Sequence, residues 1–167
     1  MGNQEFPSLN GITPSWADIQ TTFAVQGGQL IEMADYAGIK WATKIEVGEQ
    51  KGAGGRVKLR TTGTKSDEAS VTFYRSGIRK LLRGLIGAAP SRGDVKQVSL
   101  VAFDITIQHT PPFESEDYGI YKTVIQGCRL MGLSLDMKEG NDADQVEVPI
   151  STVEILEFID GQKVALL

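Results

Sequence analysis

Residues equipped for covalent or metal chemistry are few in this chain. His109 is its only histidine and Cys128 its only cysteine, so a Ser-His or Cys-His centre would have to be built around them. His109 stands in QHTPPFE, where a strand end runs into a proline-broken turn, and reads as a surface residue. Cys128, in IQGCRL, reads as a small buried hydrophobe. A lone cysteine forms no intrachain disulfide and excludes a cysteine-rich zinc site. Asp142 and Asp144 are close in sequence, but KEGNDADQ is a turn of small polar residues in which solvation accounts for both carboxylates. No catalytic constellation emerges, and the expectation is a non-enzyme without cofactor or metal.

The segment 50–67, QKGAGGRVKLRTTGTKSD, raises a different chemistry. It holds four glycines and five basic side chains, a composition compatible with phosphate or nucleic acid. KGAGGRVK nevertheless lacks the Lys-Ser/Thr ending of a phosphate loop, and a strand follows it where such a loop needs a helix. The whole chain has 17 basic against 21 acidic residues, a net charge of −4, which argues against a general polyanion binder. What stays unusual is length. A connection over about 48–66 exceeds the roughly 12–15 residues common for unstructured links, and such loops are commonly functional or ordered by a partner. Thr61, Thr62, Thr64 and Val57 favour extended backbone, and the glycines permit close approach. An arm of this kind suits pairing with the sheet edge of a second subunit.

The elements that hold this arm are mostly strands. ADIQTTFAV (17–25) reads as a strand, and Gly27 and Gly28 turn it into LIEM. In IKWATKIEV (39–47), Ile39, Trp41, Ile45 and Val47 alternate with Lys40, Lys44 and Glu46, the pattern of a half-buried strand. ASVTFY (69–74), SLVAFDITIQ (99–108), IYKTVIQGCRLMGLSLDM (120–137) and VEVPISTVEILEFI add further strands. Gly127 and Gly132 are expected at bulges, and Pro149 at an edge or break. Asp160-Gly161 signals a closing hairpin. One segment has the other period: Ile78, Leu81, Leu82, Leu85 and Ile86 form one stripe of an α-helix over about 75–88. Ser76 is its expected N-cap, with Gly87 and Pro90 as its stop. Arg79, Lys80 and Arg83 fall on the solvated side.

The expected fold is therefore α+β but mainly β, an antiparallel β-barrel or sandwich with one flanking amphipathic helix and the long loop. Its 167 residues suit one domain, with an arm over 1–15, a body over 16–167 and a C-terminal strand-and-hairpin extension over 151–167. No apolar run approaches the roughly 20 residues of a membrane span, and MGNQEFPSLNG lacks the order of a signal peptide. Membrane anchoring is not expected.

Several stretches together resemble the tail tube proteins of tailed bacteriophages. They are SWADI (15–19), the Gly-Ala-Gly-Gly-Arg segment (52–56), the Thr-Gly-Thr turn (62–64), SVTFYRS (70–76) before the helix, DITIQH (104–109) and GCRLMGLSLDMKEGNDADQVEVPI (127–150). The similarity spans about residues 15–150, and the tail over 151–167 departs from it. The resemblance implies a structural virion protein whose subunits close into hexameric rings. The rings stack into the conduit through which DNA leaves the virion, after assembly in the host cytoplasm. Implied partners are further copies of the chain, the tape measure protein, the baseplate hub, the tail terminator and, in a contractile tail, the sheath. On this reading Trp16, Lys51, Arg56, Lys58, Arg60 and Thr62 are inter-subunit contacts. A tube that passes DNA should not hold phosphate, which makes Glu46, Glu68 and Asp104 lumen-facing candidates. Alternatives are an Hcp-like secretion tube or tail-tip or completion protein of the same fold, and a small-ligand-binding β-barrel.

Overall fold

The computed structural model describes residues 19–109, 121–134, 144–159 and 161–165. The expected arm over 1–15, Trp16, the turn FESEDYG, Asp142 and Asp160 lie outside the described residues. Among the described residues thirteen strands and one α-helix follow in order: β1 Ile19–Val25, β2 Gln29–Met33, β3 Tyr36–Glu46, β4 Glu49–Lys51, β5 Val57–Arg60, β6 Thr64–Tyr74, α1 Arg75–Ala88, β7 Ser91–Arg92, β8 Val95–Lys96, β9 Phe103–His109, β10 Tyr121–Leu130, β11 Gln145–Ser151, β12 Glu154–Ile159 and β13 Gln162–Ala165.

Nine of these strands form two antiparallel layers that share β10, while β4 pairs with β5 and β7 with β8 outside them. The first runs β2-β1-β9-β10-β12-β13, and the second runs from the end of β10 through β11 and β6 to β3. Of the two expected architectures the sandwich is the one present. No closed barrel forms, because β2, β13 and β3 each end a layer without a further neighbour among the described residues. Alternation dictates which side chains enter. In FDITIQH, Phe103, Ile105 and Ile107 are buried while Asp104, Thr106 and Gln108 are not; in QVEVPIS, Val146, Val148 and Ile150 are buried between exposed neighbours. Across the gap the Phe23 ring of β1 lies 5.9 Å from that of Phe73 on β6, and within its own layer 5.8 Å from that of Phe103 on β9, both pairs tilted. Thr21 Oγ1 and Tyr36 OH share a buried hydrogen bond of 2.6 Å between the layers. The gap is filled.

Gly127 makes one strand serve both layers. At φ +66° it shifts the β9–β10 register between Ile125 and Cys128, so residues before it pair in the first layer and Arg129 and Leu130 pair with β11. The Asp104 carboxylate accepts the Gly127 N–H at 2.9 Å. A Cβ here would stand 2.5 Å from Val153 Cγ2, so glycine is needed for both conformation and space. Gly132, the other expected bulge, lies beyond the end of β10.

Helix α1 occupies the expected residues and packs on strands of both layers. Ile78, Leu81 and Leu85 are buried, joined by Gly77 and Gly84, whereas Ile86 is nearly half exposed. The chain passes from β6 into the helix without a loop: Tyr74 occupies the N-cap position and makes no side-chain cap bond, so Ser76 lies inside the first turn. Asp35 substitutes as an anchor, its backbone oxygen accepting the Tyr74 N–H at 3.2 Å. Gly77 passes so close to that carbonyl that a Cβ would collide with it.

Three expected boundaries move. β9 begins at Phe103, because Val98–Leu100 takes a short 3-10 turn that buries Val101. β6 begins at Thr64, five residues before ASVTFY. The connection expected over 48–66 is not a loop, since β4 and β5 pair with each other inside it. Pro149 sits within β11 opposite Ser70, with its carbonyl accepting the Met131 N–H at 3.1 Å. Its missing N–H thus points toward β10, where β11 pairs at only two residues. The C-terminal hairpin is present, with Ile159 opposite Gln162 and Gly161 at φ +76°.

Candidate assembly surface

The β4–β5 hairpin grows out of the end of the β3–β6 ladder. Glu46 pairs with Thr64 as the last rung, and the Gly48 N–H then donates to Thr61 Oγ1 at 2.9 Å while the Thr61 N–H donates to the Gly48 carbonyl at 2.9 Å. Gly63, at φ +84°, fits under the Glu46 carbonyl, where a Cβ would come within 2.7 Å. Beyond this pinch Glu49 faces Arg60 and Gln50 faces Leu59. The GAGG turn is closed by the Gly52 N–H on the Arg56 carbonyl at 2.9 Å and the Gly55 N–H on the Gly52 carbonyl at 3.1 Å. Gly54 and Gly55 have φ of +86° and +75°, which suits glycine and few others.

Every residue of β4 and β5 is exposed, including Leu59 at 64%. The hairpin pairs with nothing else in the described chain. Arg60 Nε lies 3.6 Å from Glu49 Oε1, whereas Lys51, Arg56 and Lys58 have no ion pair within the described residues. Four of the expected contact residues thus stand together on one projection, with Thr62 exposed at its base. An isolated two-stranded hairpin is marginal in water, and this one presents cations and apolar side chains with no cover from its own chain.

The lumen-facing candidates divide. Glu46 and Glu68 lie on the outward face of the β11-β6-β3 layer, where Glu68 Oε2 is 3.3 Å from Lys44 Nζ. The same face carries Lys40, whose Nζ is 3.8 Å from Glu147 Oε1, and Ser70, whose Oγ donates to Glu147 at 3.1 Å. Asp104 belongs to the other layer and has one carboxylate oxygen committed to Gly127. Sequence reading did not single out Glu147, although the alternation of QVEVPIS marks its side as outward.

The chemistry-bearing residues are not gathered. Cys128 is fully buried, and its thiol donates to the Ile125 carbonyl at 3.3 Å. Burial, with Asp104 nearby, pushes that thiol up to about 12, so it stays protonated and inert at neutral pH. His109 ends β9 opposite Ile19 and Tyr121. Asp144 is not merely solvated, since its Oδ2 lies 3.4 Å from Arg75 Nη2. Among the described residues no three His, Cys, Asp or Glu side chains cluster as metal ligands, and no helix is long and apolar enough to cross a membrane.

No family model and no curated protein sequence matches the chain. Solved structures do. A chain of the anti-feeding prophage tube-terminating cap aligns over 94% of this chain and 98% of its own length at 9% identity, with a TM-score of 0.60. A chain of the PVC sheath-tube complex, from an extracellular contractile injection system, aligns over 87% and 89% at 12% identity and 0.57. An Hcp protein crystal structure aligns over 87% and 96% at 9% identity and 0.50. At these identities the likeness is one of fold. The chain has the fold shared by Hcp-type proteins and by tube and cap proteins of contractile injection systems.

Proposed function

We propose that this protein is the tail tube subunit of a tailed bacteriophage. Its copies close into hexameric rings that stack into a hollow conduit for DNA ejection, assembled in the host cytoplasm and carried in the virion. The observation that supports this most is the match of fold along about nine-tenths of the chain to proteins of sheath-tube and tube-cap assemblies. The free layer edges at β2, β3 and β13 agree with it, because exposed edges are a hazard for a monomer and a joining device for a ring. So does the hairpin, which would be covered by an adjacent subunit or the next ring, with Lys51, Arg56, Lys58, Arg60 and Thr62 as contacts and Trp16 as a further one. The role is structural and needs no catalysis or cofactor. Partners would be further copies, the tape measure protein, the baseplate hub, the terminator and, in a contractile tail, the sheath.

The test is a charge reversal, Arg56→Glu with Arg60→Glu. The double variant should keep the circular dichroism spectrum and melting temperature of the parent and fail to sediment as polymer. Normal rods from it would remove the hairpin from assembly. A second reading, a tube cap, draws on the cap protein among the fold relatives. A cap would stop at single rings at every concentration, where a tube subunit elongates.

A further inference from the structure

We propose that Thr43, Asp67 and Lys65 hold one internal water on the inward side of the β3–β6 ladder, and that this water ties together the two strands from which the β4–β5 hairpin projects. The site lies within one subunit and is independent of assembly. Alternation places all three side chains inward. Thr43 stands between exposed Ala42 and Lys44, and Lys65 and Asp67 alternate with exposed Thr64, Ser66 and Glu68. Thr43 is the register partner of Asp67, and Lys65 is that of Ile45, the next inward residue of β3. The cluster therefore exists only in the observed register.

These polar groups are buried and incompletely bonded. The Asp67 side chain is 4% exposed, and its Oδ2 lies 3.5 Å from Lys65 Nζ. That is an ion pair, but longer than the about 2.7–3.2 Å of a direct N–H···O bond. Asp67 Oδ1 and Thr43 Oγ1 are both shielded from solvent, and neither has a hydrogen-bond partner among the described residues. The Thr152 hydroxyl does not supply one, because it donates to the Asp67 backbone carbonyl at 3.2 Å. Buried polar atoms are costly to leave without a partner, and two on facing residues call for one bridging group. Lys65 and Asp67 cancel in charge, so the group that suits them is neutral, donates to the carboxylate and accepts from the ammonium. Water does both, and a buried water commonly makes about three such bonds. Directly opposed residues of neighbouring strands have Cβ atoms about 4.5–5.5 Å apart, which puts the two oxygens within the span of a single water. Arg75 Nε, the other buried atom without a partner among the described residues, has no such counterpart, and its guanidinium already lies 3.4 Å from Asp144. From Thr43 and Asp67 the ladder runs on to Glu46 and Thr64, the rung at which the hairpin begins. The water thus fixes the base of that projection.

Thr43→Val in the full chain separates the cases by sign, since valine keeps the shape and removes the hydroxyl. With the water in place, the substitution removes one of its anchors and weakens the satisfaction of Asp67. Backbone amides of residues 43–46 and 64–67 should then exchange with solvent about tenfold faster than in the parent, while those of β9 keep the parent rates. Without a bridge, the parent hydroxyl is an unsatisfied buried group, and its removal should slow the exchange. Slower or unchanged exchange would overturn the proposal. Lys65→Met, alone and combined with Thr43→Val, adds a second reading. Two groups joined through one water should together speed exchange by less than the product of their separate effects. Effects that simply multiply would assign the loss to a direct Thr43–Asp67 bond and overturn the bridge. Should the variants fail to fold, a crystal structure of the parent decides. One density peak within about 2.7–3.2 Å of Asp67 Oδ1, Thr43 Oγ1 and Lys65 Nζ is the expected result; no peak, or another side chain in its place, would overturn it equally.

Discussion

At φ +66°, with a would-be Cβ 2.5 Å from Val153 Cγ2, Gly127 is the residue through which β10 changes layers. Gly127→Ala should lower the unfolding free energy by about 1–3 kcal/mol, the usual cost of a side chain forced into positive φ plus a steric conflict. Urea denaturation followed by fluorescence would read it as a lower midpoint. Next to it, Cys128 makes a pH prediction. Its thiol moves from 9.0 to about 12 on folding, chiefly through burial. The unfolded chain therefore releases this proton at a lower pH than the folded chain. Stability from this group is complete below about pH 9 and declines as pH rises toward the folded value. Chemical denaturation at pH 8 and pH 10.5 should show the loss, and Cys128→Ser should reduce the difference between the two. Asp104 shows the limit of reading single residues: alternation in DITIQ marks it as outward, yet its bond to the Gly127 N–H depends on a register that no local pattern reveals.

Helix α1 and the β4–β5 hairpin differ in how sequence encodes them. The helix buries one face, so Ile78, Leu81 and Leu85 recur with the helical period and its limits are legible. Its glycines were not, since close approach of Gly77 to the Asp35 carbonyl and of Gly84 to Ile31 is a tertiary fact. Leu81→Ala should cost about 2–5 kcal/mol, measured as a fall in the urea midpoint. The hairpin buries neither face, so VKLR leaves no hydrophobic contrast to mark its strands, and a glycine-rich stretch passes for a loop. Because β4 and β5 pair only with each other among the described residues, replacing residues 50–58 by a two-residue turn should change monomer stability by less than about 0.5 kcal/mol while abolishing polymer. Thermal melts and sedimentation separate the two effects. The ion pairs on the outward face of the β11-β6-β3 layer were illegible for the same reason as the Asp104 bond. Lys40 and Glu147 are distant in sequence and meet only through the β3–β6–β11 register.

On the scale of the whole molecule, strand periodicity and one helix were enough for the mainly β sandwich, because each buried face writes its period into the chain. Which edges stay open was not legible, since β2, β3 and β13 differ from interior strands only in lacking a neighbour among the described residues. On the proposed reading, those edges and the uncovered hairpin are completed by further copies of the chain. Cryo-electron microscopy of the concentrated full chain tests that directly. The expected result is hollow cylinders of stacked rings, with the hairpin over 48–63 packed against an adjacent subunit. Particles of single-chain mass at every concentration, or an assembly that leaves the hairpin bare and has no central channel, would contradict it.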